Sequence, residues 1–203
     1  MMILSMANTS TWKEYYLKSQ HRSANKLLVK ALREVEKKKH ALDIGCGIGI
    51  DTLYMHQQGM KVYCFDANDY AIGKIESLRI KNIYPSISLI HQYKYKRNFF
   101  NIINASFSLP FSGKEHFDKV FTNIFHALRK NGIFCGQLFG KKDQWNSKDS
   151  ILIFMKKREV LNYFRDFQLL YLREVKKNFT NLEYPFPCGA KYAHYFEVIA
   201  RKK

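Results

Sequence analysis

Several features that define other protein classes are scarce in this 203-residue sequence. It contains four prolines, and no apolar run is long enough to cross a bilayer. The four cysteines have no paired spacing, and no zinc-ligand pattern stands out among Cys and His; the cysteines are Cys46, Cys64, Cys135 and Cys188. These absences argue against a membrane protein, a disulfide-stabilised domain and a metal site, and no secretory signal is evident. We therefore expect a cytoplasmic protein with reduced thiols.

Acidic residues are also scarce. The 17 Asp and Glu stand against 34 Lys and Arg, which gives a formal net charge of +17. A surplus of this size favours anionic partners such as nucleic acid. The alternative explanation is compositional, because Lys, Asn, Ile, Phe and Tyr are all frequent in the chain.

The strongest functional pattern lies between His40 and Asn68. A short apolar run over residues 41–44 leads into alternating glycines and a helical segment, and a second apolar run over 62–65 ends on Asp66. Strand, glycine-rich turn, helix, strand and acid form the layout of a nucleotide-binding βαβ unit. The glycines let a ligand approach the backbone, and the acid accepts hydrogen bonds from two ribose hydroxyls. A glycine turn that binds nothing is the less favoured alternative.

The spacing of the glycines argues against a dinucleotide. That fingerprint needs a third glycine three positions after the second, where this chain has Ile50. The third glycine is Gly49, which gives the pattern D-x-G-x-G-x-G from Asp43. This spacing resembles the first motif of class I S-adenosylmethionine-dependent methyltransferases, whose cofactor has no pyrophosphate.

Hydrophobic periodicity predicts alternating strands and helices along the chain. The predicted strands cover residues 41–44, 62–65, 87–90, 99–104, 133–139, 168–175 and 195–201. The predicted helices cover residues 11–38, the segment after Gly49, a segment ending near Arg79, residues 114–129 closed by Asn131 and Gly132, and residues 157–164. This order predicts an α/β fold: a Rossmann-like, doubly wound, seven-stranded and mostly parallel sheet with helices on both faces. We expect one domain over residues 1–203, with an N-terminal helical lead-in over 1–38 and a loop or lid over 178–191.

Two later motifs narrow the resemblance. Residues 104–111 read NASFSLPF, and residues 136–140 read GQLFG, followed by Asp143 and Trp145. Together with the first motif and the KYAHYF segment at 191–196, they resemble a subgroup of small bacterial class I methyltransferases, the methyltransferase-domain or tellurite-resistance-type proteins. The resemblance covers nearly the whole chain and implies S-adenosyl-L-methionine as the cofactor.

The resemblance also implies positions for the cofactor. Residues implied to contact it through the glycine turn, the second strand and the fourth strand are Asp43, Gly45, Gly47, Gly49, Asp66, Asn104, Ala105 and Ser106. The lead-in would fold over the methionine end and offer Tyr16 and Arg22. The pattern departs from the family in one place, because the acid that reads the adenine amino group after the third strand is absent between His91 and Lys96. Gln92 or a backbone carbonyl is then expected to take that contact.

The catalytic candidates are weaker. Methyl transfer from a sulfonium needs alignment and a dry pocket more than a strong acid or base. The aromatic residues that suit such a pocket are Phe107, Phe111, Phe139 and Trp145. Ordinary core packing is the alternative for all four, and it is the favoured one for Phe139. His194 is the most exposed candidate base, although a lone strand histidine is more often structural. Asn104 and Phe107 also occupy the first and fourth places of the N-P-P-[FY] motif of amino-methylating enzymes, without its two prolines.

The positions of the basic residues bear on the partner. Ligands of open α/β sheets bind beyond the carboxyl ends of the strands. Basic residues expected at that edge are Lys94, Lys96, Arg97, Lys141, Lys142, Lys176 and Lys177, whereas those expected elsewhere include residues 37–39, 129–130 and 156–158. The surplus is therefore scattered, which favours a compositional origin. We expect a methyltransferase, monomeric or homodimeric, that acts on a small and possibly anionic acceptor; a nucleic-acid methyltransferase and a non-catalytic cofactor-binding protein remain alternatives.

Overall fold

The computed structural model describes residues 9–178 and 192–203. Its centre is a sheet of eight strands in the order β3-β2-β1-β4-β5-β8-β7, with the short strand β6 paired to β5. The strands are β1 (His40–Ile44), β2 (Lys61–Asp66), β3 (Ile83–Ile87), β4 (Phe100–Ala105), β5 (Leu128–Gly140), β6 (Phe154–Met155), β7 (Phe167–Asn178) and β8 (Tyr192–Lys202). Strands β1 to β6 pair in parallel, and β8 is antiparallel to both β5 and β7. The predicted doubly wound, mostly parallel sheet is confirmed, with one strand more than predicted.

Helices cover both faces of the sheet, as the buried, almost continuously apolar strands require. They are α1 (Thr9–Ser19), α2 (Lys26–Ala31), α3 (Ile50–Gln57), α4 (Asp69–Ser77), α5 (Phe117–Ala127) and α6 (Lys157–Tyr163), with 3₁₀ turns at Leu32–Glu34 and Leu109–Ser112. On one face, Phe121 and Ile124 of α5 pack in a core with Phe134 of β5. On the other face, Leu28 of α2 packs in a core with Ile133 of β5.

Three predicted elements need correction. The lead-in is two helices, because the chain leaves helical geometry between α1 and α2. The third strand is Ile83–Ile87 rather than 87–90. Pro85 lies within it, and it is tolerated because β3 is an edge strand whose outer N–H groups need no partner in the sheet.

The boundary between the next helix and strand was also predicted wrongly. Helix α5 ends at Ala127 and β5 begins directly at Leu128, so Asn131 and Gly132 lie inside the strand and do not close the helix. Asn131 has φ +63°, and the pairing of β5 with β4 shifts register between Phe100 and Ile102. A bulge of this kind has the same turn-like residues as a helix end, which explains the error.

The parallel order brings the carboxyl ends of β1, β2, β3 and β4 to one edge of the sheet. The segments that leave these ends are the glycine turn after β1, Asp66 at the end of β2, residues 88–91 and residues 106–112. In the part of the chain that the structure describes, no helix is long and apolar enough to cross a membrane. The loop or lid predicted over 178–191 lies almost entirely outside the described residues.

Candidate cofactor and active site

A chain of polar side chains joins β1, α3 and β4 at this edge. The hydroxyl of Thr52 donates to Asp43 Oδ2 at 2.6 Å. The amide of Asn104 donates to Asp43 Oδ1 at 2.8 Å and to Asp51 Oδ2 at 3.1 Å. Asn104 therefore bridges two carboxyl groups and holds them at a fixed separation, and both Asp43 and Asn104 are almost completely buried.

The network continues from Asp51 to the start of α2. Asp51 Oδ1 accepts from the Asn25 backbone N–H at 2.8 Å, and Asp51 Oδ2 accepts from the Ser106 hydroxyl at 2.8 Å. The Asn25 amide donates to Ser106 at 3.2 Å, and the buried Gln137 amide donates to Asn25 Oδ1 at 3.4 Å. With Asn104, Asp51 receives three donors out of about four acceptor positions that a carboxylate offers. One position is left for a ligand, and Asp51 lines the cavity described below.

Burial and repulsion change the acidity of Asp43. Burial first, and then the negative charge of the nearby Asp51, raise the pKa of Asp43 to about 7, against the opposing hydrogen bonds from Thr52 and Asn104. A carboxyl group with this pKa is partly protonated near neutral pH. A cationic ligand group beside Asp43 would favour its ionised form, because opposite charges attract most strongly where water is excluded.

The glycine turn brings the backbone close to its neighbours. Gly45 has φ +65°, and a Cβ there would lie 2.5 Å from Ser108 Cβ. Gly47 has φ +53°, and a Cβ there would lie 3.0 Å from Cε1 of Tyr16. Both positions require glycine, because a side chain would be strained by the backbone and would overlap a residue of the cavity wall.

Asp66 is fixed at the end of β2 by the same turn. Its Oδ2 accepts from the Gly47 N–H and its Oδ1 from the Asn68 N–H, both at 2.9 Å. Burial raises the pKa of Asp66, and the hydrogen bonds from the Asn68 and Gly47 backbone counter the rise. The carboxylate is thus oriented by backbone groups that cannot move independently of the turn, and it borders the cavity.

Helix α1 forms one wall of the cavity with three aromatic residues. Trp12 stacks on Tyr16 with ring centroids 6.0 Å apart, and Trp12 also meets Phe111 edge-on at 5.8 Å. Arg22 donates to the Tyr15 hydroxyl at 3.3 Å and lies 5.5 Å above the Tyr15 ring. Tyr16 and Arg22, the two residues predicted from the lead-in, both line the cavity, with Tyr16 against Gly47 and Arg22 on Tyr15.

The cavity enclosed by these elements has a volume of about 710 Å³, within the range of small-molecule and cofactor sites. Its carboxylates are Asp43, Asp51, Asp66 and Glu115. Within the described ranges, Arg22 is the one lysine or arginine that lines it. The interior of the site is therefore acidic, although the whole chain has a net charge of +17.

Two hydroxyls in the cavity wall have no partner. Four buried side-chain nitrogen or oxygen atoms lack a hydrogen bond among the described residues, and two of them are Ser108 Oγ and Ser112 Oγ. Both serines line the cavity, and they are 8% and 3% exposed. The two hydroxyl oxygens are closed off from solvent, and an unpaired buried hydroxyl costs about 1–3 kcal/mol.

Four of the predicted cofactor residues do not line the cavity. Gly49, Asn104 and Ala105 lie behind the cavity wall, and Asn104 acts on Asp43 and Asp51 from there. Gln92 is exposed and does not line the cavity. Residues 88–91, directly after β3, line it instead.

His194 lies away from the cavity. It was expected to be exposed, but it is 4% exposed and packs against Gly140, where a Cβ would overlap the ring. Its Nδ1 accepts from the Lys142 N–H at 2.9 Å, and its Nε2 lies 2.9 Å from Glu174 Oε1. Because both ring nitrogens contact groups of the protein, the arrangement supports a structural role in which His194 links β8 to the segment after β5.

Sequence reasoning missed three residues of the network: Asn25, Asp51 and Gln137. Two of them had a signal, because Asp51 and Thr52 follow the glycines as the D-T pair of the first motif, and Gln137 is the glutamine of GQLFG. Asn25 had none, since it lies in the break between α1 and α2, which the sequence presents as continuous helix.

The residues that line this cavity fit S-adenosylmethionine. The glycine turn allows a close backbone approach that a Cβ would block, and the carboxylates of Asp51 and Asp66 match an ammonium group and a pair of ribose hydroxyls. No group of three or more His, Cys, Asp or Glu in the described residues could hold a metal ion.

A doubly wound sheet with an acidic, glycine-lined cavity at its carboxyl edge defines the class I methyltransferases. The sequence matches the methyltransferase-domain family over residues 16–198, and the chain belongs to that family. The predictions of a methyltransferase, of an enzyme and of S-adenosylmethionine as its cofactor are confirmed at the level of the family. A search among curated proteins finds no match.

Solved structures share the fold at low sequence identity. TehB from Haemophilus influenzae superposes with a TM-score of 0.73 at 20% identity, covering 87% of this chain and 61% of the TehB chain. The 1,6-didemethyltoxoflavin-N1-methyltransferase of Burkholderia thailandensis, solved with 1,6-didemethyltoxoflavin and S-adenosylhomocysteine, gives 0.73 at 16% identity, covering 100% of this chain and 88% of that one. A SAM-dependent methyltransferase from Methanosarcina mazei gives 0.67 at 16% identity, covering 89% of this chain and 99% of that one. These likenesses confirm the fold.

Proposed function

We propose that this protein transfers the methyl group of S-adenosylmethionine to a small, uncharged acceptor held against the aromatic wall of the cavity. The observation that carries the proposal is that one cavity is lined by the glycine turn, by two oriented carboxylates, Asp51 and Asp66, and by aromatic rings from α1 and from residues 107–111.

Two carboxylates of the cavity bind different parts of S-adenosylmethionine, the ammonium group and the ribose. Asp51, with its one remaining acceptor position, and the neighbouring Ser106 bind the ammonium group, and Asp43 adds negative charge from behind. Asp66 accepts from the ribose hydroxyls in an orientation fixed by Gly47 and Asn68. Arg22 carries the positive charge suited to the carboxylate of the methionine end.

The acceptor lies on the aromatic side. When bound, S-adenosylmethionine would supply a methyl group on a positively charged sulfur; the acceptor would form a bond to the methyl carbon as the C–S bond breaks, and S-adenosylhomocysteine would leave. The chain contributes alignment and exclusion of water: Trp12 and Phe111 are in contact, and Phe107 and Phe111 pack against the cluster of Phe139, Leu152 and Phe154. A dry, shaped pocket of this kind accelerates a displacement that disperses charge.

The acidic interior argues against a polyanionic acceptor. With Arg22 as the one lysine or arginine in the described cavity wall, the surplus of +17 lies on the exterior and not around the reacting atoms. This charge distribution also argues against the small anionic acceptor considered from the sequence. A small acceptor is further supported by the Burkholderia relative in fold, which was solved with a small molecule bound.

Calorimetric titration with S-adenosylhomocysteine tests the cofactor site. Asp66→Ala removes two charge-assisted hydrogen bonds to the ribose, so we expect affinity to fall about 100-fold or more. Asp66→Asn keeps the side-chain volume and one acceptor oxygen. It is the second variant to be measured, in case Asp66→Ala does not fold. Asp69→Ala, an exposed carboxylate at the start of α4, is the matched control and should stay within about twofold. Wild-type protein that binds neither this ligand nor S-adenosylmethionine at millimolar concentration would refute the proposal.

Binding of a short single-stranded RNA tests the nucleic-acid alternative. Lysines and arginines on the exterior should give weak association that disappears steeply with salt. We expect the affinity for S-adenosylhomocysteine to be the same with and without RNA. Coupling between the two ligands, with methyl incorporation into the RNA, would favour the nucleic-acid reading instead.

A further inference from the structure

The connection from β3 to β4, residues 88–99, contains no helix. Parallel strands are usually joined by a helix, which covers one face of the sheet. Here an irregular segment takes its place, and Tyr93 from this segment stacks on Phe65 with ring centroids 4.1 Å apart. Tyr63 lies two positions before Phe65 and therefore on the same face of the sheet, but it is only half-buried, and its neighbour Tyr84 is 43% exposed. The part of this face near the amino ends of the strands is thus open to solvent.

Four rings form a continuous row on the open part of the face. Tyr63 stacks on Tyr84 with centroids 4.7 Å apart, and the two residues are register partners in β2 and β3. Phe99 meets Tyr63 edge-on at 5.4 Å and stacks on His40 at 4.2 Å. These four residues are called the ring row below. Because strand pairing fixes their spacing, the row is a rigid aromatic surface.

Lysines and arginines surround the ring row. The Lys96 ammonium lies 4.3 Å from the Tyr63 ring centroid and 4.9 Å from that of Phe99. Burial first, and then the positive charge of nearby side chains, lowers the pKa of His40; these side chains are, in decreasing order of effect, Arg129, Lys61, Lys39 and Lys96. All four are exposed. Four cations from separate parts of the chain therefore converge on the row.

No acidic side chain compensates this charge. Among residues 9–178 and 192–203, none of the four cations forms an ion pair with a carboxylate, whereas Arg173 and Arg201 elsewhere on the sheet pair with glutamates. Part of the net charge of +17 is thus concentrated at the amino ends of the parallel strands. Neither the ring row nor its cations line the cofactor cavity, which lies at the carboxyl ends. An uncompensated positive surface favours an anionic partner.

The combination of rings and cations identifies the kind of anion. Unpaired bases stack on exposed aromatic rings while their phosphates contact lysine and arginine, whatever the base sequence. An acidic protein would use the cations without the rings, and a base-paired duplex hides the faces of its bases. We propose that the ring row and its four cations bind single-stranded nucleic acid, as a docking surface separate from the site of methyl transfer. This inference does not depend on the acceptor proposed above.

Fluorescence anisotropy with a labelled oligouridylate of about ten nucleotides, a length typical of such surfaces, measures binding to the full chain. Tyr84→Ala removes one stacked base and should weaken binding about 5- to 100-fold, whereas Tyr84→Phe keeps the ring and should stay within about twofold. An abasic strand of the same length keeps the phosphates and should bind the wild type at least about 10-fold more weakly. This second ligand tests the rings even if Tyr84→Ala does not fold.

The cations are tested by a pair of charge-matched variants. Lys96→Gln removes a phosphate contact, so it should weaken binding and lower the slope of log affinity against log salt concentration by about 0.7. Lys157→Gln removes the same charge from an exposed position on α6 and should leave both quantities nearly unchanged. Equal effects of the two substitutions would assign the binding to net charge alone and overturn the proposal.

Three further results would overturn it: no association of the wild type at low salt, equal affinity for the abasic and the complete strand, or displacement of the oligouridylate by polyglutamate as effectively as by the unlabelled strand. The last result would indicate an acidic protein partner. Titration of Tyr84→Ala with S-adenosylhomocysteine should give the wild-type affinity, because the ring row lies outside the cavity. A wild type that binds the strand but not the cofactor would refute the proposed function and leave this surface in place.

Discussion

Asp43 and Asn104 are direct partners across the parallel strands β1 and β4, and the Asn104 amide donates to the Asp43 carboxyl at 2.8 Å. The hydrogen bond lies in the interior of the sheet, where both side chains are almost completely excluded from water. It ties the residue before the glycine turn to the strand that carries the NASF motif. The two motifs that were recognised separately in the sequence are therefore one structural unit.

Asn104→Ala should lower the free energy of unfolding by about 2–3 kcal/mol, because it removes hydrogen bonds to two carboxyl groups and leaves one of them buried without that donor. Urea unfolding followed by circular dichroism measures the loss. Asn123→Ala, a half-buried asparagine on α5 and away from the cavity, should change the value by no more than about 0.5 kcal/mol. Equal effects of the two substitutions would show that the bridge contributes nothing.

Ligand binding should release a proton from Asp43 near neutral pH. The pKa of Asp43 is raised to about 7 by burial, and a bound ammonium group lowers it again. Affinity for S-adenosylhomocysteine should therefore rise as pH increases from 6 to 8. Calorimetry at pH 7 in two buffers of different ionisation enthalpy detects the released proton, and Asp43→Asn should abolish the release.

Stability should change with pH in the opposite direction. Because the folded pKa of Asp43 lies above its ordinary value of 3.8, the folded protein binds a proton that the unfolded chain gives up. This contribution is fully present below about pH 4 and is lost as pH rises through 7. Asp43→Asn should unfold with a flatter pH profile over this window; a profile as steep as that of the wild type would assign the effect to other groups.

A comparison of Gly47→Ala with Gly59→Ala separates the energetic cost of backbone strain from the cost of steric overlap with a neighbouring side chain. Both glycines have positive φ, +53° and +83°, but a Cβ at Gly59 meets nothing within 4 Å, whereas one at Gly47 lies 3.0 Å from the Tyr16 ring. Gly59→Ala should cost about 1–2 kcal/mol and leave cofactor affinity unchanged. Gly47→Ala should cost more and weaken binding. In a double-mutant cycle, the stability lost on combining Gly47→Ala with Tyr16→Ala should be smaller than the sum of the two single losses, and additive losses would mean that the ring is not the obstacle.

His194→Ala should destabilise the protein without changing cofactor affinity. It removes the contacts of both ring nitrogens with Lys142 and Glu174 and leaves a cavity beside Gly140, so we expect a loss of about 2–4 kcal/mol. Thermal unfolding and titration with S-adenosylhomocysteine measure the two quantities separately. Once an acceptor is known, normal stability with lost turnover would restore His194 as a candidate base.

The sequence was sufficient for the sheet and for the residues that a single motif contains. Asp43, the glycines and Asp66 lie within one βαβ unit, so their spacing along the chain determines their spacing at the cavity. The amphipathic pattern of α5 identified the helix because one face packs against Phe134 and its neighbours.

The rest depended on contacts between distant parts of the chain. Asn25 meets Asp51 from 26 positions away, and Gln137 meets Asn25 from 112 positions away, so no local pattern contains either pair. The missing partners of Ser108 and Ser112 are likewise invisible in sequence, because a hydroxyl is unpaired only in relation to everything packed around it. Burial also reversed the expectation for His194, which depended on a position along a strand and not on its neighbours.

The separation between a basic exterior and an acidic cavity means that the surface of this enzyme can be redesigned independently of its chemistry. Exposed basic residues outside the cavity, such as Lys157 and Arg158 of α6, should be exchangeable for glutamine or glutamate, with solubility and non-specific adsorption changing while the residues that line the cavity stay the same. The high isoelectric point can then be changed by substitutions on the surface, at little cost to methyl transfer.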